Sequence, residues 1–207
     1  MIKTKIKAIV TIVSVIILCS CQNDNRTGDA VKIVKAWTGK EIIFSKLLLH
    51  SSMTGDSPHF DLYSDNCKIL LYVDSLGCTS CRLNLSDWKM IMEESDTIFF
   101  RKPDFVFIFQ PKKDGLTELQ SILKQKGFRY PVFIDSENEM SNLNIFPSNP
   151  DYLCFLLDGN NNVLLVGNPS HNTGIWALYK KVIRNINESD TIKEKKITNS
   201  IRYSINN

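Results

Sequence analysis

The chain has 207 residues, with 25 lysines and arginines against 22 aspartates and glutamates and a formal net charge of +3. That length suits one domain with a full hydrophobic core. The first 20 residues hold three of the lysines and no acid, so the remainder carries 22 charges of each sign, and neither a nucleic-acid face nor a polybasic membrane face is expected.

Lys3, Lys5 and Lys7 precede an apolar run over residues 8–18 that is too short to span a bilayer, the pattern of a secretory signal. Residues 1–20 are therefore read as a signal peptide, and residues 21–30, which are polar, as a tether. Residues 31–186 follow as one domain. It opens on a strand-like pattern over residues 31–44, with a turn at Thr38-Gly39-Lys40, and a loop over residues 51–58.

Residues 68–73, Lys-Ile-Leu-Leu-Tyr-Val, form a short apolar run with the composition of a buried strand, closed by Asp74-Ser75-Leu76-Gly77. Cys78-Thr79-Ser80-Cys81 comes next, and beyond it Leu85, Trp88 and Met92 recur at helical spacing. A C-x-x-C between a strand and a helix places its first thiol at a helix N-terminus, where free backbone N–H groups and the positive dipole end favour an anion. In such settings a thiol pKa falls from about 8.5 to roughly 3.5–7.5, which makes Cys78 the expected nucleophile and Cys81 the resolving thiol. Half of a zinc site is the alternative, but zinc needs about four ligands, and Cys67, Cys154, His50, His59 and His171 are scattered singly. Neither a metal nor another cofactor is expected.

Further along, residues 105–109 read as a strand buried on both faces. A helix from Asp114 to Gly127 follows, with Leu116, Leu119, Ile122 and Leu123 as its stripe. Residues 131–135 read as a strand and 138–144 as a short helix. Residues 151–157 and 163–166 form a hairpin about Asp158-Gly159-Asn160-Asn161-Asn162, and a helix with Ile175, Leu178, Val182 and Ile186 inward closes the domain. Residues 187–207 are polar and read as a loose tail. Alternating strands and helices ending in a hairpin argue for an α/β fold whose mixed sheet is flanked by helices. Cys154 falls on a predicted strand and reads as a buried hydrophobe; Cys67, if exposed, is either a partner for a mixed disulfide with Cys78 or a spare thiol.

These residues resemble the thioredoxin-like superfamily, and within it the TlpA/ResA-like, AhpC/TSA-type redoxins of bacterial envelopes. The resemblance covers residues 66–186 and rests on the strand with Cys78 and Cys81, on Gly127-Phe128-Arg129-Tyr130-Pro131-Val132-Phe133-Ile134-Asp135, and on the hairpin of residues 150–167. It implies a thioredoxin-like fold and a cis-proline facing the C-x-x-C, for which Pro150 is the candidate, with Pro147 as fallback. Where the family has an aromatic residue immediately before the first cysteine and an Asn or Asp six residues before it, this chain has Gly77 and Tyr72. Asp74 is the nearest carboxylate that could take the resolving thiol's proton. Leu18-Cys19-Ser20-Cys21 resembles a lipobox, which implies lipidation of Cys21 and anchorage in a bacterial envelope facing the periplasm or the cell surface; the composition is similar to that of Bacteroidetes lipoproteins.

The expected activity is thiol-disulfide exchange, with protein disulfides as substrates and an upstream thiol as electron donor. Two alternatives stand beside it. A thiol peroxidase lacks the P-x-x-x-T-x-x-C surroundings here, whereas a non-catalytic scaffold that binds a partner or a metal is compatible with Gly77 and Tyr72.

Overall fold

The computed structural model describes residues 22–51, 62, 64–75, 84–113 and 115–205. Two units are distinguished, residues 1–37 and Thr38–Asn207. The first contributes a helix, α1, Gln22–Trp37. That helix takes the place of the tether and of the first half of the expected strand pattern. A run from Asp29 to Trp37 without proline, in which Val31 and Val34 stand one turn apart, continues a helix as readily as it alternates.

In the second unit one sheet of six strands carries the fold. Its strands are β1 Leu49–Ser51, β2 Lys68–Val73, β3 Asp104–Phe109, β4 Val132–Ile134, β5 Cys154–Leu157 and β6 Val163–Val166, in the order β1-β4-β3-β2-β5-β6. β2, β3 and β4 run parallel, with Ile69 opposite Phe105 and Ile108 opposite Phe133. β5 and β6 return antiparallel on one side, and β1 lies antiparallel at the far edge. The edge strand β1 occupies the segment just before the expected loop, whereas residues 40–44 touch the sheet through a single bridge, Glu41 to Asn162. Ile42 and Phe44 are buried and Ile43 is half exposed, so the alternation of residues 42–44 reports burial rather than ladder pairing.

Four further helices pack around this sheet: α2 Leu85–Ile98, α3 Leu116–Gln125, α4 Glu139–Asn144 and α5 Thr173–Ile205. Parallel neighbours require crossover connections, and α2 and α3 supply them between β2 and β3 and between β3 and β4. Because successive side chains of a strand point to opposite faces, Ile69, Leu71, Phe105, Phe107 and Phe109 share one core cluster. Leu85, Trp88 and Ile91 of α2, Leu119 and Leu123 of α3, and Trp176, Tyr179 and Ile183 of α5 complete that cluster. Phe107 sits at its centre, its ring 5.3 Å from Trp88, 5.2 Å from Phe128 and 5.7 Å from Tyr130, all edge-on. Glu94 ties α2 to α5, accepting from Lys180 Nζ at 2.7 Å and from Trp176 Nε1 at 2.7 Å. The Lys180 bond, followed by that from Trp176, holds the Glu94 carboxyl below its ordinary value.

Leu70, Tyr72, Val106 and Ile108 are buried on the opposite face, where the Tyr72 hydroxyl meets Ser141 of α4. Asn144 ties α4 to residues 42–45, its side chain bonding both the N–H and the C=O of Ile43. Of the stripe expected in α5, Ile175, Val182 and Ile186 pack partly buried against the core and Leu178 is half exposed, while Trp176, Tyr179 and Ile183 are the fully buried residues. The helix runs on through Ile205 across the segment read as a loose tail. The large aromatic groups settle the rotation of the helix because they bury the most area per residue.

Candidate functional site

The strand order, with parallel β2, β3 and β4 and an antiparallel β5–β6 hairpin beyond β2, is that of the thioredoxin-like fold expected from the sequence. In parallel sheets the carboxyl ends of the strands are where ligands and reacting groups collect. Here that end is reached by β2 at Val73, after which Asp74 and Ser75 leave the sheet. Residues 76–83, with Cys78 and Cys81, lie outside the described residues, as does Cys21. Description resumes at Asn84, and α2 begins at Leu85.

Two hollows flank the exit of β2. Toward β3 and α3 lies one of about 120 Å³, whose lining includes Asp74, Ser75, Gln110, Lys112 and Glu118 together with the apolar Phe109 and Leu119. Toward β5 lies a smaller one of about 50 Å³, bordered by Tyr72, Asp74, Pro150, Leu153 and His171. Asp74 borders both.

Pro150 is thus brought beside the exit, but not as the resemblance implied. It opens a 3₁₀ turn, Pro150–Tyr152, capped by Asn149 Oδ1, which accepts from Asp151 N at 3.0 Å, and no peptide bond among the described residues is cis. Cys154 starts β5, so it is Leu153 that immediately precedes the strand, and the Leu153 carbonyl accepts from Tyr72 N at 2.9 Å. Residues 150–152, read from sequence as the start of a strand, form this turn instead, since a proline at its first position has no N–H to give a ladder.

Beneath the exit lies a buried polar cluster. The Tyr72 hydroxyl is 3.1 Å from Asp135 Oδ2 and 3.3 Å from Gln110 Oε1, both acceptors, and 3.0 Å from Ser141 Oγ. Asp135, itself buried at the end of β4, also accepts from the backbone N–H groups of Glu139 and Met140 and so caps α4. Burial, above all, raises the Tyr72 hydroxyl well beyond its ordinary range, and the Asp135 carboxylate adds to the rise. Sequence reasoning marked Tyr72 as a departure from the family pattern. It missed Asp135, Gln110 and Ser141, which come from three other segments and have no short-range spacing to betray them.

Cys67 and Cys154 are free and buried. Desolvation is the main reason that both thiols are pushed up from 9.0 to about 12. They stay protonated at neutral pH and cannot act as nucleophiles there. In the native protein at pH 8 both are expected to resist iodoacetamide and to react only on unfolding; rapid native labelling of either would contradict this placement. A thiol whose folded pKa is raised holds its proton in the native state after the unfolded chain has lost it. The stability it contributes is therefore present below pH 9.0 and is lost as pH rises toward about 12.

No family model matches the chain, and no curated protein matches it. Among solved structures it is similar to a domain of a possible thiol-disulfide isomerase from Cytophaga hutchinsonii, with 17% identity over 72% of this chain and 96% of that one and a TM-score of 0.48. The thioredoxin domain of a thiol-disulfide oxidoreductase from Bacteroides vulgatus matches with 10% identity, over 68% of this chain and 96% of that one, at a TM-score of 0.44. An exposed lipoprotein thioredoxin from Streptococcus pneumoniae matches with 17% identity, over 50% and 75% of the two chains, at a TM-score of 0.38. At such scores no chemistry is carried over to this chain.

Proposed function

We propose that this protein is an envelope thiol-disulfide oxidoreductase anchored through a lipid on Cys21, with Cys78 as nucleophile and Cys81 as resolving thiol. One observation supports the reading: β2 ends at Val73 at the carboxyl edge of the parallel strands, with a hollow on either side of its exit, and in the sequence the C-x-x-C falls between β2 and α2. Cys67 and Cys154, buried and protonated, leave the exchange chemistry to that pair. No helix among the described residues is long and apolar enough to cross a membrane.

In the reducing direction the Cys78 thiolate attacks one sulfur of a substrate disulfide. The substrate S–S bond breaks, its departing thiolate takes a proton from water, and a mixed disulfide holds the substrate on Cys78. Cys81 gives up its proton and attacks Cys78 Sγ, which forms the Cys78–Cys81 disulfide and releases the second substrate thiolate. Two electrons have passed to the substrate, and an upstream dithiol returns them. Pro150, beside the exit of β2, belongs to the surface on which the substrate segment rests.

Removing the resolving thiol stops this sequence midway. With Cys81→Ser in envelope extract, discrete protein partners are expected on Cys78, released by dithiothreitol. If nothing is trapped and Cys78 titrates near a free thiol, the oxidoreductase reading fails and the scaffold reading takes its place.

A further inference from the structure

The geometry points to the outer face of α5, together with Phe100, as a surface that lies against anionic lipid headgroups. This contact depends neither on the exchange chemistry nor on a lipid at Cys21. Trp176, Tyr179 and Ile183 turn one side of α5 into the core. On the side away from them Lys181, Arg184, Glu188, Lys195 and Arg202 recur at intervals of three, four and seven, which is one stripe of a helix. From Lys181 to Arg202 it runs about 30 Å. Lys181, Arg184 and Glu188 are exposed. Four cations against one acid give the stripe a local positive charge that the neutral total of residues 21–207 conceals. Neighbouring acids do not undo it: Glu94 is bonded to Lys180, Asp96 stands 2.8 Å from Lys102, and Asp190 stands 4.0 Å from Arg101, so each has its own cation.

Apolar groups stand beside the stripe. Phe100, in the turn after α2, is 98% exposed, and Ile192 is 55% exposed. The two border a hollow of about 440 Å³ with Arg101, Asn187, Glu188 and Thr191, which sets the ring next to the middle of the stripe. A phenylalanine ring left in water forgoes the transfer free energy that burial returns. Cations with exposed apolar residues among them suit the boundary of a bilayer, where the ring enters at headgroup depth and the cations meet phosphate. A second copy of the chain would set one basic stripe against another. A nucleic acid would meet the cations through its phosphates but offers no apolar layer to Phe100 and Ile192.

Phe100→Trp makes the contact visible. Trp37, Trp88 and Trp176 are 6% exposed or less, so an indole at position 100 is the one that bromine on a lipid chain can reach. In the full chain, vesicles of brominated phosphatidylcholine mixed with phosphatidylglycerol are expected to quench its fluorescence, and added salt to relieve the quenching. Vesicles of brominated phosphatidylcholine alone are expected to quench it far less. Lys181→Gln with Arg184→Gln in the same chain is expected to shift the balance off the surface more than tenfold, at about fivefold for each cation removed. Lys195→Gln with Arg202→Gln, farther along the stripe, is expected to act likewise, and far-UV circular dichroism checks that both pairs keep the parent fold. Quenching that is absent, equal on the two kinds of vesicle, or unchanged by the charge substitutions overturns the lipid contact. An emission shift produced as strongly by duplex DNA, or by raising the protein concentration without vesicles, also overturns it, since the occupant is then a nucleic acid or a second copy.

Discussion

Cys78→Ser is expected to reduce disulfide exchange to the uncatalysed background. Exchange proceeds through attack by a thiolate, and an alcohol is not ionised near neutral pH. The substitution leaves Cys67 and Cys154 in place, so it also asks whether either can substitute. Both are buried, both are held as thiols with pKa pushed up to about 12, and Cys154 lies against the Tyr179 hydroxyl within the core. Reduction of a model protein disulfide by excess dithiol, with and without the Cys78→Ser variant, gives the comparison. Retained exchange in the variant would place the nucleophile elsewhere. Loss in Cys78→Ser together with accumulation of mixed disulfide in Cys81→Ser assigns the two roles separately.

Phe107→Ala carries the largest expected cost to the fold. Removing a buried phenylalanine ring costs about 3–5 kcal/mol through lost transfer energy and the cavity left behind. Relaxation is poor at this place, because Phe107 is 1% exposed on the central strand β3, which is paired to β2 and β4, and rigid rings surround it. Trp88, Phe128 and Tyr130 present their edges to it and Phe105 stacks in parallel at 6.5 Å, so the rings against it are stiff groups that do not bend into the space. Against a total stability of about 5–15 kcal/mol the loss takes up a large share. With a urea slope of about 2 kcal/mol per molar the midpoint is expected to fall by roughly 2 M. A fall below about 0.5 M would show that the cluster repacks and that Phe107 is not its keystone.

Local patterns in the chain were enough to place β2, β3 and β4 and the hairpin of β5 and β6, because each is a short apolar run bounded by Gly, Pro, Asp or Asn. The helix after the C-x-x-C and the one ended by Gly127 were legible for a similar reason: Leu85 and Trp88, and Leu119 and Leu123, repeat at the helical period and are buried. Gly127 takes φ +58, the left-handed conformation that ends a helix without penalty. The first pattern misled. Residues 31–37 suit a helix as well as a strand, and at so few apolar positions the period is not decided. Polar content likewise argued against order at the chain's end, while the backbone of α5 extends through it.

The sequence alone determined the order of the groups on which the proposed function rests: two cysteines spaced for one helical turn, a strand before them, an apolar stripe after them and a neutral body. These are local properties, carried by residue type and spacing. What the fold alone decided is which distant groups meet at the exit of β2. Tyr72 reaches Asp135, Gln110 and Ser141 only because parallel pairing sets β2 beside β3, β3 beside β4, and α4 over that face of the sheet. It also decided that Pro150 opens a turn rather than a strand and that Cys67 and Cys154 are shut from water. Burial and long-range hydrogen bonds depend on how strands stack in space, and the chain's local spacing holds no record of that.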